Sequence, residues 1–158
     1  MDPAPRCQCV GAARRQRRGV FRGHRARTLL HGADVRVAFS PSPALYPFAS
    51  RRFGPVHYLD EGSGRPIVLM HGNPTWSFLY RKLIPLLGAG GLRCIAPDLP
   101  GHGLSEHPEG FGYTGAEHAR EIAALIRHLD LRDYLLLGQD WGGPIGLGAA
   151  AQEPERLG

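Results

Sequence analysis

The rhythm of hydrophobic and polar positions changes near residue 44. Residues 1–43 hold no sustained period and read as a tail. From Ala44 onward, short apolar runs alternate with helical spacing. Val56-His57-Tyr58-Leu59 predicts a strand ending at Asp60-Glu61-Gly62, and Gly62-Ser63-Gly64-Arg65-Pro66 predicts a turn. Ile67-Val68-Leu69-Met70 is a continuous apolar run, as in a strand buried on both faces of a parallel sheet. A helix is expected over residues 77–87, with Leu79, Leu83, Leu86 and Leu87 on one side and Gly88 near its end. A second buried strand, 92–96, closes at Pro97-Asp98, and a glycine- and proline-rich loop follows over 99–113. Thr114-Gly115-Ala116-Glu117 matches a capping box. The helix it opens carries Ile122, Leu125, Ile126 and Leu129 at core spacing. A strand over 134–137 and a helix over 144–152 complete the pattern.

Strand and helix in alternation imply an α/β protein, a parallel sheet with helices on its faces. Chemistry in such sheets sits at the carboxyl ends of the strands. Two of those ends carry unusual residues, His71-Gly72-Asn73-Pro74 and Gly138-Gln139-Asp140-Trp141-Gly142-Gly143.

Composition adjusts this picture at the amino-terminal end. The chain has 158 residues and a net charge of +5, but the charge is split. Residues 1–52 carry 11 arginines against Asp2 and Asp34, whereas residues 53–158 carry 8 basic and 12 acidic side chains. The basic character belongs to the leader and not to the domain. Arg14-Arg15-Gln16-Arg17-Arg18 would suit phosphate neutralisation, yet Phe21 is the one aromatic there for base stacking, so no nucleic-acid partner is expected. An organellar presequence would need an amphipathic apolar face, which is missing. A disordered leader, or sequence upstream of the true start in an arginine-biased gene, is the preferred reading. No apolar run approaches the roughly 20 residues needed to cross a bilayer, and no secretory signal is recognisable. Cys7, Cys9 and Cys94 form no disulfide framework; Cys94 reads as a small core residue and a reducing cytoplasm as the location. Neither a metal nor a cofactor is expected.

Gly138-x-Asp140-x-Gly142 follows a buried strand and opens a helix, the setting of a nucleophile elbow that lifts one side chain above the sheet. The raised residue is an aspartate, already ionised at neutral pH, whereas a serine there would have to lose a proton to attack. A carboxylate nucleophile suits displacement at a saturated carbon, giving an alkyl ester that water must hydrolyse with the help of a general base. The main-chain amide of Trp141, at a helix start, and that of Asn73 are the expected oxyanion pair. The Asn73 side-chain amide and the Trp141 indole N–H are neutral donors suited to a departing halide, which needs donors and no proton.

The segments His71-Gly72-Asn73-Pro74-Thr75-Trp76-Ser77-Phe78-Leu79-Tyr80-Arg81 and Gly138-Gln139-Asp140-Trp141-Gly142-Gly143-Pro144 resemble the two signature segments of haloalkane dehalogenases. Asp98-Leu99-Pro100-Gly101-His102-Gly103-Leu104-Ser105 and Ala44-Leu45-Tyr46-Pro47-Phe48 fit the same family. The resemblance spans residues 44–158 and leaves 1–43 uncovered. It implies the N-terminal part of an α/β-hydrolase fold, with a mostly parallel sheet and flanking helices, truncated before the cap domain and later strands. It assigns Asp140 as nucleophile and Asn73 and Trp141 as the halide pair, with a small halogenated organic substrate and water as reactants. The catalytic acid and the histidine base would follow later strands, so this chain alone is not expected to turn over. Its oligomeric state is left open. In the family's sheet order the strand over 134–137 is interior, so its outer edge should be bare here.

The Asp-Trp elbow is shared with epoxide hydrolases, which typically carry an apolar or aromatic residue where Asn73 stands; Asn73 therefore favours the dehalogenase. A non-catalytic half-domain used for assembly is the third reading. By the same resemblance His71 is structural, His102 stabilises its loop and Asp98 anchors a loop. Trp76 is expected either to line the pocket or to pack at the head of its helix.

Overall fold

The computed structural model describes residues 41–158. The leader expected over 1–43, with Phe21, Cys7, Cys9 and the arginine cluster, therefore lies outside the described residues except for positions 41–43. The described chain forms strands β1 (Arg51–Phe53), β2 (Val56–Gly62), β3 (Arg65–Met70), β4 (Leu92–Pro97) and β5 (Leu135–Gly138). Helices α1 (Leu83–Ala89), α2 (Gly115–His128) and α3 (Gly142–Ala150) intervene, with 3-10 turns at Ser77–Tyr80 and Pro154–Arg156.

The strands form one sheet in the order β1-β2-β4-β3-β5. β4, β3 and β5 are parallel, as the alternation predicts, with Ile67 opposite both Cys94 and Leu135. β1 and β2 run antiparallel, so the sheet is mixed. Connection length explains the difference. Only Gly54-Pro55 joins β1 to β2 and only Ser63-Gly64 joins β2 to β3. A parallel crossover needs a dozen or more residues, which only the links through α1 and α2 supply. β1 escaped the sequence pattern because two of its three residues are exposed arginines.

The helix expected over 77–87 is broken. Ser77–Tyr80 is a 3-10 turn, and α1 starts only at Leu83. Pro85 accounts for the break. A continuous helix would press its ring on the Arg81 carbonyl and lose the N–H that carbonyl needs, whereas proline is tolerated in a first turn. The capping box at α2 forms as expected: Thr114 Oγ1 accepts from the Glu117 amide, and the Glu117 carboxylate accepts from the Thr114 amide.

Period two along β3 divides the core into two layers. Val68 and Met70 face α2 and α3, packing with Ile95, Ile122, Leu125, Ile126 and Ile145. Ile67 and Leu69 face the other way, toward Tyr46, Tyr80, Ile84 and Cys94. Cys94 is a buried free thiol, the core role read from its position. β5 ends the sheet. Its three leucines are half-buried, and among the described residues its outer side is met only at its base, where Tyr134 pairs in parallel with Leu157. Gly158 N–H donates to Tyr134 O at 3.0 Å. Among the described residues no helix is long and apolar enough to cross a membrane.

Candidate active site

β3 and β5 lie side by side, so their carboxyl ends deliver His71–Pro74 and Gln139–Trp141 to one place. Asp140 adopts φ +52°, a left-handed conformation that costs an L-residue energy and marks a tight, over-determined turn. Gln139 N–H donates to Met70 O at 3.0 Å, tying the turn to β3, and Gly143 N–H donates back to Asp140 O at 3.0 Å as α3 begins. The flanking glycines are sterically required. A Cβ on Gly138 would stand 2.6 Å from Gly143 Cα, and one on Gly142 would stand 2.2 Å from Met70 O.

The exposed Asp140 carboxylate faces the loop after β3. Asn73 N–H donates to its Oδ2 at 3.0 Å. The main-chain amide of Trp141, then that of Asn73, hold the Asp140 carboxyl below its ordinary range against a small opposing effect of desolvation. Of the two, Asn73 makes the well-aligned hydrogen bond, so the Trp141 amide is best regarded as a nearby dipole at a helix start. Asp140, Asn73 and Trp141, picked out from two distant segments, thus meet.

Asn73 and Trp141 border one cavity of about 220 Å³, whose other walls include Leu99, His102, Tyr113 and His118. Trp141 is 57% exposed, and a shallower recess joins it to Asp140 and Pro144. Among the described residues the Asn73 amide and the Trp141 indole have no side-chain hydrogen-bond partner, so both donors are free for a ligand.

The other histidines and acids settle into supporting places. His71 is fully buried, with Nδ1 2.9 Å from Gly72 O and Nε2 accepting from Leu99 N–H at 2.9 Å. Both ring nitrogens are engaged in the neutral form, and burial lowers the pKa, so the ring is structural. Asp98 is also fully buried. Its carboxylate accepts from Ser77 N–H at 2.7 Å, Leu104 N–H at 2.9 Å and His57 Nδ1 at 2.9 Å, a loop anchor. His102 Nδ1 lies 3.3 Å from Pro100 O, bracing its loop, and its ring also lines the cavity. Trp76 packs, stacking on Phe78 at 5.3 Å between centroids and tilting against Tyr46 at 5.1 Å. Three contributors were not read from the sequence: His57, Tyr113 and His118. His118 carried a signal, since it precedes Ile122 by four residues and so falls on the core face of α2. No group of three or more metal-binding side chains gathers among the described residues.

A mixed sheet with helices on both faces and an acid raised at the strand–helix turn defines a hydrolase architecture. The alpha/beta hydrolase fold family matches residues 65–158, and the chain belongs to it. Within that family it is similar to haloalkane dehalogenase 2 of Mycobacterium tuberculosis, at 54% identity over 127 residues, covering 78% of this chain and 44% of the relative. The chain thus spans less than half the length of that relative. A haloalkane dehalogenase from Paraglaciecola agarilytica, described as tetrameric, superposes with a TM-score of 0.67 at 36% identity, over 72% of this chain and 42% of that one. An epoxide hydrolase from Vigna radiata gives 0.64 at 30% identity, over 70% and 36%.

Proposed function

We propose that this chain carries the nucleophile and leaving-group site of a haloalkane dehalogenase. The observation that carries the reading is the meeting of Asp140, raised at φ +52° and bonded by Asn73 N–H, with Asn73 and Trp141, two free neutral donors that border one cavity. A carboxylate oxygen of Asp140 attacks the halogen-bearing carbon. The carbon–halogen bond breaks, its electron pair leaves with the halide, and the Asn73 amide and Trp141 indole receive that anion. An alkyl ester remains on Asp140. Water then attacks the ester carbonyl, releasing alcohol and a proton and restoring the carboxylate.

The oxyanion of that second step forms on the carboxyl group of Asp140 itself. The main-chain amides of Asn73 and Trp141 already favour negative charge there, which is what its stabilisation requires. Activation of water needs a general base. His71 is engaged at both nitrogens, and the resemblance assigns the base to sequence outside residues 1–158. Asp140, Asn73 and Trp141 account for ester formation, and among the described residues none is assigned the base that repeated turnover needs.

The test is intact-mass spectrometry of the chain after exposure to a primary bromoalkane. One alkyl group per chain, mapped to Asp140 and absent from Asp140→Ala, is expected, with at most one bromide released per chain. Alkylation elsewhere, or none, would overturn the assignment. Epoxide opening is the second reading, favoured by the superposition on the Vigna radiata enzyme at a TM-score of 0.64. It predicts a hydroxyalkyl ester from an epoxide and no bromide release.

A further inference from the structure

The dehalogenase reading leaves one wall of the cavity without a task. His118 stands in the first turn of α2, is 4% exposed, and lines the cavity together with Asn73 and Trp141. Its Nδ1 is buried with no hydrogen-bond partner. The ring is held by others, edge-on to Phe111 at 5.2 Å and to His102 at 6.1 Å and tilted against Tyr113 at 6.2 Å. Burying an imidazole without partners is unfavourable, and the helix places isoleucine at the equivalent position one turn on. The exception calls for a ligand.

The tautomer follows from the same facts. A buried N–H without a partner is rarer than a buried bare acceptor, so the proton of neutral His118 belongs on Nε2, leaving Nδ1 bare. Nε2–H is then a donor available to the cavity. The other polar residues of the wall are Asn73, Trp141, His102 and Tyr113, and among the described residues no carboxylate lines it. Glu117, the acid beside His118, is occupied by the amides of Thr114 and Gly112 and by the Thr114 hydroxyl. A wall of donors without an acid suits a small anion.

We propose that His118 is a third donor of the anion compartment, contacting a small monovalent anion through Nε2–H, with Nδ1 taking up a proton as the anion binds because the charge of the anion offsets the cost of that unpartnered N–H. On the preceding reading that anion is the departing halide, and the inference rests on it to that extent. The charged and titratable surroundings are His102 from the loop after β4, His71 at the end of β3, Tyr113 from the loop before α2, Glu117 on α2 itself and Asp140 at the head of α3. Burial first, then His102 and His71, lower the His118 pKa against the pull of Glu117, so the empty site holds a neutral ring at pH 7. A bound anion favours the imidazolium. Anion affinity must therefore rise as the pH falls into the histidine range, while Asp140, with its depressed pKa, stays ionised.

The experiment is an NMR titration of chain 1–158 with sodium bromide at constant ionic strength, at pH 8.0, 6.5 and 5.5. It follows the Trp141 indole N–H and the imidazole carbon-bound protons of His118. Bromide should bind at least fivefold more tightly at the lowest pH and raise the titration midpoint of His118. His118→Gln, which keeps a donor and cannot charge, should bind with a flat pH profile; His118→Phe should be flat and about tenfold weaker. His128→Gln, at the far end of α2 where the ring stacks on Phe53, should keep the profile of the parent. Parent-like binding by His118→Phe, or loss of the pH dependence in His128→Gln alone, would overturn the proposal. If His118→Phe does not fold, the midpoint of His118 in the parent decides, since an unmoved midpoint overturns it equally. Loss of binding in Asn73→Ala with no effect at His118 would leave the dehalogenase reading standing and remove this one. A shifted His118 with Asn73→Ala and Trp141→Phe binding normally would do the reverse. No response at any of these residues would sink both.

Discussion

Replacing Asp98 by asparagine tests how the loop that walls the cavity is held. Oδ1 of Asp98 accepts from Ser77 N–H at 2.7 Å, while Oδ2 accepts from Leu104 N–H and faces His57 Nδ1, both at 2.9 Å. Asparagine has one acceptor oxygen. If it stays on Ser77, the new NH2 points at the Leu104 amide and leaves a buried donor opposed by a donor. His57 can answer only by turning its acceptor nitrogen inward, which strands a proton on Nε2, a buried atom without a partner. One stranded amide and the loss of hydrogen bonds to a charged acceptor come to about 2–4 kcal/mol. The pH arm has a definite sign. Burial pushes the Asp98 pKa up, but the His57 ring and the Leu104 and Ser77 amides outweigh it, so the folded pKa lies below the ordinary value. Stability from this group is then present above the unfolded pKa of about 3.9 and lost as the pH falls through the folded pKa. Urea denaturation at pH 7 should show the full deficit of Asp98→Asn, and the gap from the parent should narrow toward pH 3. A variant within 0.5 kcal/mol of the parent at pH 7 (about the spread of neutral surface substitutions), or a gap that widens in acid, would refute the argument.

Other substitutions probe separate links. Gly142→Ala would drive a Cβ to 2.2 Å from Met70 O and 2.6 Å from His71 O, both main-chain atoms that cannot swing aside. A loss of about 1–3 kcal/mol or more is expected, with the Asp140 ester yield falling alongside it; an unchanged melt would contradict the close approach of helix and strand. Thr114→Ala removes the side-chain half of the α2 cap and should cost about 1 kcal/mol in urea denaturation, with Thr114→Ser restoring most of it. Past the Tyr134–Leu157 bridge the outer side of β5 has no partner among the described residues, which should make chain 1–158 associate as its concentration rises. Light scattering that stays flat, with a cooperative concentration-independent melt, would count against that.

What could be read from the sequence was whatever a short stretch of chain decides by itself. Ile67–Met70 is apolar at every position because both faces of β3 are covered, and the Thr114–Glu117 box closes within four residues. The elbow at Asp140 was legible for the same reason, since its glycines record steric demands made by immediate neighbours. Asn73 could be joined to Asp140 through the resemblance, and the fold explains the pairing, because β3 and β5 are adjacent although 67 residues separate the two side chains. Features that depend on one residue meeting a distant one left no such trace. The direction of β2 is set by the brevity of its connections and not by its own side chains. Arg51–Phe53 becomes a strand only because Val56–Gly62 pairs with it, and the break before Leu83 needs Pro85 to be weighed against the Arg81 carbonyl four residues back. His57 and Asp98 are 41 residues apart and fully buried together, yet each alone looks like an ordinary polar residue near a strand end. His118 lies between these cases. Its spacing to Ile122 places it on the buried face of α2, but only the cavity opposite turns a misplaced polar residue into a candidate ligand donor.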